Sequence, residues 1–189
     1  MNRLPPADEK NDPEVAAVFA ELAASRGWVS NALRSMGHAP EALRRFASVG
    51  DYARYHSHLS ERLREIVIIT TGRQRPYAER HHVPLGLQAG LTRAEIDSLL
   101  AGMVPPTFSA TDAAVARYVL EFTSGKPVTD VTFQALRAVM SPREITDVTL
   151  TSVYYVALAM VIATLGVELE NEECLQLELN WQRKKNLRK

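Results

Sequence analysis

Residues 60–91 read SERLREIVIITTGRQRPYAERHHVPLGLQAGL, and this stretch decides the fold. Ser60 is placed to cap a helix that carries Leu63, Ile66, Val67 and Ile69 on a broad apolar side. A short cationic connector follows, Gly72-Arg73-Gln74-Arg75-Pro76. A second helical pattern then runs from Tyr77 to Ala89, and Gly90 ends it. Its first turns hold the only dense group of proton-transfer residues in the chain: Tyr77, Glu79, His81 and His82. Any chemistry is expected here.

The same signals repeat on both sides of this pair. Asp12-Pro13-Glu14 starts a helix whose stripe is Val15, Val18, Phe19 and Leu22, ended by Gly27. A short helix is expected over Ser30–Met36. Another opens at Pro40, with Leu43, Phe46 and Ala47 inward, and Gly50 is expected to break it. Downstream, Thr92-x-x-Glu95, Ser109-x-x-Asp112 and Ser141-Pro-x-Glu144 have capping-box form. Thr129 starts a helix with Phe133, Leu136 and Met140, and Glu172 to about Lys185 forms the last one. No run of period-2 alternation is present, so the fold class is all-α, in one domain. Residues 1–11 are expected to be disordered, 12–170 to form the domain, and 171–189 to form a C-terminal helix with a basic tail.

Composition narrows the function classes. The chain has 189 residues, 46% of them apolar, which is enough for a core. Its 22 basic and 22 acidic residues cancel, so nucleic acid is not an expected partner. The basic tail WQRKKNLRK reads as a solvated helix end. Cys174 is the only cysteine, which removes any intramolecular disulfide, CxxC redox pair or cysteine metal cage. The N-terminus lacks an apolar core of secretory type, so the cytoplasm is the expected location. Residues 148–167, VTLTSVYYVALAMVIATLGV, carry no charge over a length that could span a bilayer. Six of them are Thr, Ser or Tyr, and the flanks Asp147 and Glu168 offer no basic anchor. A helix buried in a core or between subunits is the expected reading, with no membrane.

LREIVI at 63–68, followed by YAERHHVPLGLQAGL at 77–91, resembles the carboxymuconolactone decarboxylase family of the alkylhydroperoxidase D-like superfamily. Leu120-Glu121-Phe122, Phe133-Gln134-Ala135-Leu136 and the segment from Thr149 to Glu168 with Tyr154-Tyr155 resemble the family's later helices. The resemblance covers roughly residues 13–170. It implies an all-helical bundle that assembles as a homo-oligomer, a trimer or hexamer. His82 falls on the motif histidine and Tyr77 on the motif tyrosine. Arg75 and Ala78 fall on the two cysteine positions of the peroxidase branch, so thiolate attack on a peroxide is unavailable. Ala78 also stands where the non-thiol branch has a glutamate, and the connector is about two residues short.

The residues themselves suggest acid–base work. Glu79 and His82 are i,i+3 neighbours on one helical face, and Glu65 on the preceding helix is a second candidate partner. A carboxylate beside an imidazole can orient the ring for proton transfer. A core histidine making one structural hydrogen bond is the alternative. Arg73, Arg75 and Arg80, at or near the helix start, could bind a carboxylate substrate by forked hydrogen bonds, or could be solvated. Glu79-x-x-His82 has di-iron spacing, but no second Glu-x-x-His exists, so no metal is expected. Pro84 could kink the helix just after His82.

Taken with the resemblance, these residues imply a lyase that needs no cofactor. It would act on a small carboxylated lactone or related acid, with His82, Glu79, Tyr77 and Glu65 catalytic and the three arginines binding substrate. A non-catalytic binding or structural paralogue is the alternative. Peroxidase activity comes third, disfavoured by the missing CxxC.

Overall fold

The computed structural model describes residues 2–186. The last three residues of the basic tail lie outside that range. Ten α-helices and one π-helical turn are present among the described residues, with no strand, so the expected all-α class is observed. Contacts divide the chain into two units, Met1–Tyr52 with Met160–Lys189, and Ala53–Ala159.

The first unit contains α1 (Pro13–Arg26), α2 (Asn31–Arg34) and α3 (Pro40–Asp51), with α10 (Glu172–Asn186) near the end of the chain. Asp12 accepts the Glu14 and Val15 N–H groups, and so sets the start of α1. Val18, Phe19, Leu22, Leu33, Leu43 and Ala47 form its core. Arg26 is drawn inward by an ion pair with Asp51 (2.8 Å) and a hydrogen bond to the Ala47 carbonyl (2.9 Å). Residues 2–11 form no helix, but the Arg3 N–H donates to the Leu165 carbonyl at 2.9 Å. Gly50 does not break α3. It is a buried position inside the helix, and the chain passes into the π turn Tyr52–His56 instead. A glycine inside a pattern can mark close packing as well as an end.

The second unit is built around α4 (Glu61–Thr71). Ser60 Oγ accepts the Leu63 N–H at 3.2 Å, and every residue from Arg64 to Thr71 is buried. Around it lie α5 (Pro76–Gln88), α6 (Arg93–Leu100), α7 (Ala110–Phe122), α8 (Asp130–Arg137) and the greater part of α9 (Pro142–Leu165). Ile66, Val67, Ile69, Ile96, Leu99, Val115, Val119, Leu136 and Val148 fill the core between them. The Thr92/Glu95 and Ser141/Glu144 boxes both close as expected. At Ser109 only half of the box forms, because Asp112 turns to Arg62.

Arg62 binds these helices together. Its guanidinium donates to Glu95 Oε1 (3.0 Å), Asp112 Oδ2 (3.1 Å) and the Gly90 carbonyl (2.7 Å). The turn between α4 and α5 is equally specific. A Cβ on Gly72 would run into the Ala78 methyl, and Gln74 adopts a left-handed φ of 63°. The tight turn thus brings Gly72 against the Ala78 methyl, which leaves no room for a side chain at position 72. Past it, α5 continues through Pro84 to Gln88 as one helix.

Helix α9 buries Ile145, Asp147, Val148, Thr151, Ser152, Tyr154 and Tyr155 on its core side. Leu150 (42% exposed), Val153 (47%) and Met160 (61%) recur at three- and seven-residue spacing on the opposite side and are open in the single chain. Within one chain the core therefore covers only one side of α9, because an apolar composition does not say what covers the rest of the helix. By length and composition alone, α9 is long and apolar enough to cross a membrane.

Burial tends to raise the Glu95 pKa, but the Thr92 N–H, the Arg62 guanidinium and the Thr107 hydroxyl outweigh it and hold the carboxyl below the ordinary glutamate value. A depressed carboxylate stabilises the fold above its unfolded pKa, and that contribution is lost as pH falls through the folded value. Urea denaturation across pH should therefore show a loss of stability below about pH 4.5 that is reduced in Glu95→Gln. At neutral pH the same variant should be less stable by roughly 1–3 kcal/mol, the usual worth of hydrogen bonds to a charged group.

Candidate functional site

Glu65 reaches the site from the fully buried part of α4, and His82 from the second turn of α5. The His82 Nδ1–H donates to Glu65 Oε2 at 2.9 Å, and both side chains are only 6% exposed. Tyr155 of α9 meets the imidazole edge-on, with ring centroids 5.1 Å apart and planes at 88°, and Tyr154 in turn packs edge-on against Tyr155. Three helices thus fix one imidazole. Nδ1 is held by the carboxylate, and Nε2 makes no hydrogen bond with the described residues. A ring held this way can give or take a proton only at Nε2.

The other expected residues are distributed differently. Of the two candidate carboxylates, it is Glu65 that bonds the ring. Glu79 is half-buried and makes no bond to His82, although it shares the helical face. Tyr77 stacks on His81, not on His82, with centroids 4.6 Å apart. Arg73 is a structural strap: it donates to the Thr70 carbonyl (3.0 Å) and to Thr123 Oγ1 at the end of α7 (2.5 Å). Arg75 and Arg80 are exposed. None of the three arginines is brought to the His82–Glu65 pair by any of these contacts. A cavity of about 180 Å³ lies in the first unit, against Leu4, Phe19, Asn31, Arg34 and Leu165, and holds none of the predicted site residues.

Two neighbours were not singled out from sequence. Tyr155 lies far along the chain from His82, and only the later-helix resemblance bore on it. Arg64 is 4% exposed and its Nε lies 3.9 Å from Glu65 Oε1. Its signal was simple adjacency to Glu65, which carries no information about burial. Thr151, one turn before Tyr155, has a buried hydroxyl with no hydrogen-bond partner. Among the described residues no group of three or more His, Cys, Asp or Glu is arranged to hold a metal ion.

This geometry can be set beside known proteins. No curated protein sequence matches the chain. Among solved structures, the debrominase Bmp8, in a cysteine-to-alanine form bound to 2,3,4-tribromopyrrole, is similar at 13% identity with a TM-score of 0.74, over 96% of this chain and 100% of that one. An alkylhydroperoxidase AhpD core protein, a peroxidase-related protein from Ralstonia eutropha JMP134, is similar at 17% identity and a TM-score of 0.76, over 94% and 96%. A peroxidase-related protein from Silicibacter sp. TM1040 is similar at 18% and 0.74, over 90% and 93%. At such identities the likeness shows the fold alone. Residues 40–121, which include Glu65 and His82, match the model of the carboxymuconolactone decarboxylase family. The motif residues that carry the resemblance, Glu65, Tyr77 and His82, all lie within the segment that matches this family model, and the chain has the alkylhydroperoxidase D-like fold without a CxxC pair.

Proposed function

We propose that this chain is a cofactor-free carboxy-lyase of the carboxymuconolactone decarboxylase type, acting on a small carboxylated lactone or related acid. The observation that carries this reading is the buried Glu65–His82 pair, with Nδ1 committed to the carboxylate and Nε2 left for chemistry. In the reaction the bond between the substrate carbon and its carboxylate breaks, and carbon dioxide leaves. The electron pair passes into a carbonyl-stabilised enolate. Protonated His82 delivers its Nε2 proton to that carbon, and solvent returns a proton to the ring. Glu65 is a positioning residue that holds the tautomer and stabilises the charged ring. Tyr155, perpendicular to the imidazole, packs against it.

A peroxidase of the two-thiol kind finds no support in the side chains present. Positions 75 and 78 are Arg and Ala, and Cys174, the only cysteine, lies in α10 of the other unit. The same reading takes a cytoplasmic homo-oligomer. Supporting it is the open apolar stripe of α9, where Leu150, Val153 and Met160 present a seam that a second copy could cover.

Carbon dioxide release from a panel of carboxylated γ-lactones tests the chemistry. His82→Ala should lower turnover by about 10²- to 10⁴-fold, the usual worth of one positioned acid–base group. Glu65→Gln should cost about 10- to 100-fold, as expected for a group that acts through the residue it orients. Glu79→Gln should stay near the wild type. Unchanged turnover per folded molecule in His82→Ala would show a structural histidine and remove the lyase reading.

Sedimentation velocity tests the assembly. The wild type should sediment as a trimer or hexamer from the detergent-free fraction, and Met160→Glu should shift it toward monomer. A wild type that is monomeric, or recovered only with membranes, would refute this part.

A further inference from the structure

Arg64 is buried to all but 4% of its surface, yet its guanidinium makes no hydrogen bond with the described residues. Its one charged contact, Nε to Glu65 Oε1, is 3.9 Å long, beyond hydrogen-bond reach. This differs from the chain's other inward-turned arginines. Arg26 closes on Asp51 at 2.8 Å, and Arg62 on three acceptors at 2.7 to 3.1 Å. A guanidinium serving only as counter-ion to Glu65 would be expected to close to the same distance. None of its nitrogens is sealed from solvent, so the guanidinium faces an opening with its N–H donors uncommitted to any protein acceptor and can take the oxygens of a ligand that displaces water.

The surroundings say what that ligand is. The Glu65 carboxylate turns Oε1 to Arg64 and Oε2 to His82, so guanidinium and imidazole flank one group. Thr151 Oγ1, 1% exposed and without a partner, lies one turn before the tyrosine that packs against His82. The Thr151 hydroxyl is sealed and unpaired and the Arg64 N–H donors are uncommitted, so both can meet acceptor oxygens of a ligand. We propose that Arg64, and not Arg73, Arg75 or Arg80, is the anion-recognition residue of the His82–Glu65 site and takes a substrate carboxylate in a forked pair. Its planar fork matches two carboxylate oxygens. The assignment rests on the reading of His82 as the reacting group, since it is that site's substrate Arg64 would hold.

Calorimetric titration tests this with benzoate and 2-furoate as probes, against the neutral isosteres benzamide and 2-furamide. The wild type should bind the acids and not the amides. Arg64→Met, which keeps length and apolar volume, should weaken acid binding by about 10- to 100-fold, and Arg64→Lys should recover part of it. His82→Asn should retain most of it. Equal acid binding in Arg64→Met and wild type, equal binding of acids and amides, or no acid binding by the wild type would each overturn the assignment. Should Arg64→Met fail to fold, the wild-type Arg64 Nε–H resonance, assigned through Arg64→Lys, decides: it must move with benzoate and not with benzamide, and a stationary signal overturns the proposal. The two claims separate cleanly. Loss of acid binding in Arg64→Met alongside full turnover in His82→Ala keeps the anion site and removes the lyase reading. The reverse pattern keeps His82 and removes Arg64.

Discussion

The buried hydrogen bond between His82 Nδ1 and Glu65 Oε2 is the constraint around which the second unit is arranged. A carboxylate in the interior is tolerable only with close partners. Here those partners are an imidazole on α5 and, more loosely, the guanidinium of Arg64. To keep the pair dry, α4 must be enclosed on every side, and its run of buried residues from Arg64 to Thr71 shows that it is. To bring His82 over Glu65, α5 must turn back sharply onto α4. The contact of Gly72 with Ala78 and the left-handed Gln74 make that turn possible.

The fold was largely legible because its signals are local. A serine or threonine hydroxyl that caps a helix acts on an N–H two or three residues away, so Ser60, Thr92, Ser109, Thr129 and Ser141 could be read from spacing alone. Gly50 was not legible in the same way. Glycine ends helices and also permits close packing inside them, and only the neighbours distinguish the two uses. The exposure of α9 was hidden for a related reason. Hydrophobicity shows that a surface prefers to leave water, but the partner that covers it lies outside the sequence of one helix.

The site was legible in place but less so in detail. His82 and Glu65 were both singled out, yet the i,i+3 rule favoured Glu79 equally, and tertiary contact gives the bond to Glu65. The arginines at the helix start were conspicuous because they cluster in sequence. One is used as a strap to Thr123 and two are exposed. The inward-facing cation is instead Arg64, embedded in a run that reads as apolar. A charged residue in such a run gives no sign of whether it snorkels to water or stays inside.

The central claim is that Glu65 fixes His82 so that Nε2 alone carries reactive protons. Nitrogen NMR of a ¹⁵N-histidine-labelled sample, with His82 assigned by comparison with His82→Asn, reads this directly. Above the ring's titration the neutral imidazole should be protonated at Nδ1, with Nε2 showing the shift of an unprotonated nitrogen, and Glu65→Gln should lessen that preference. A neutral His82 protonated at Nε2 in the wild type, with Nδ1 bare, would contradict it.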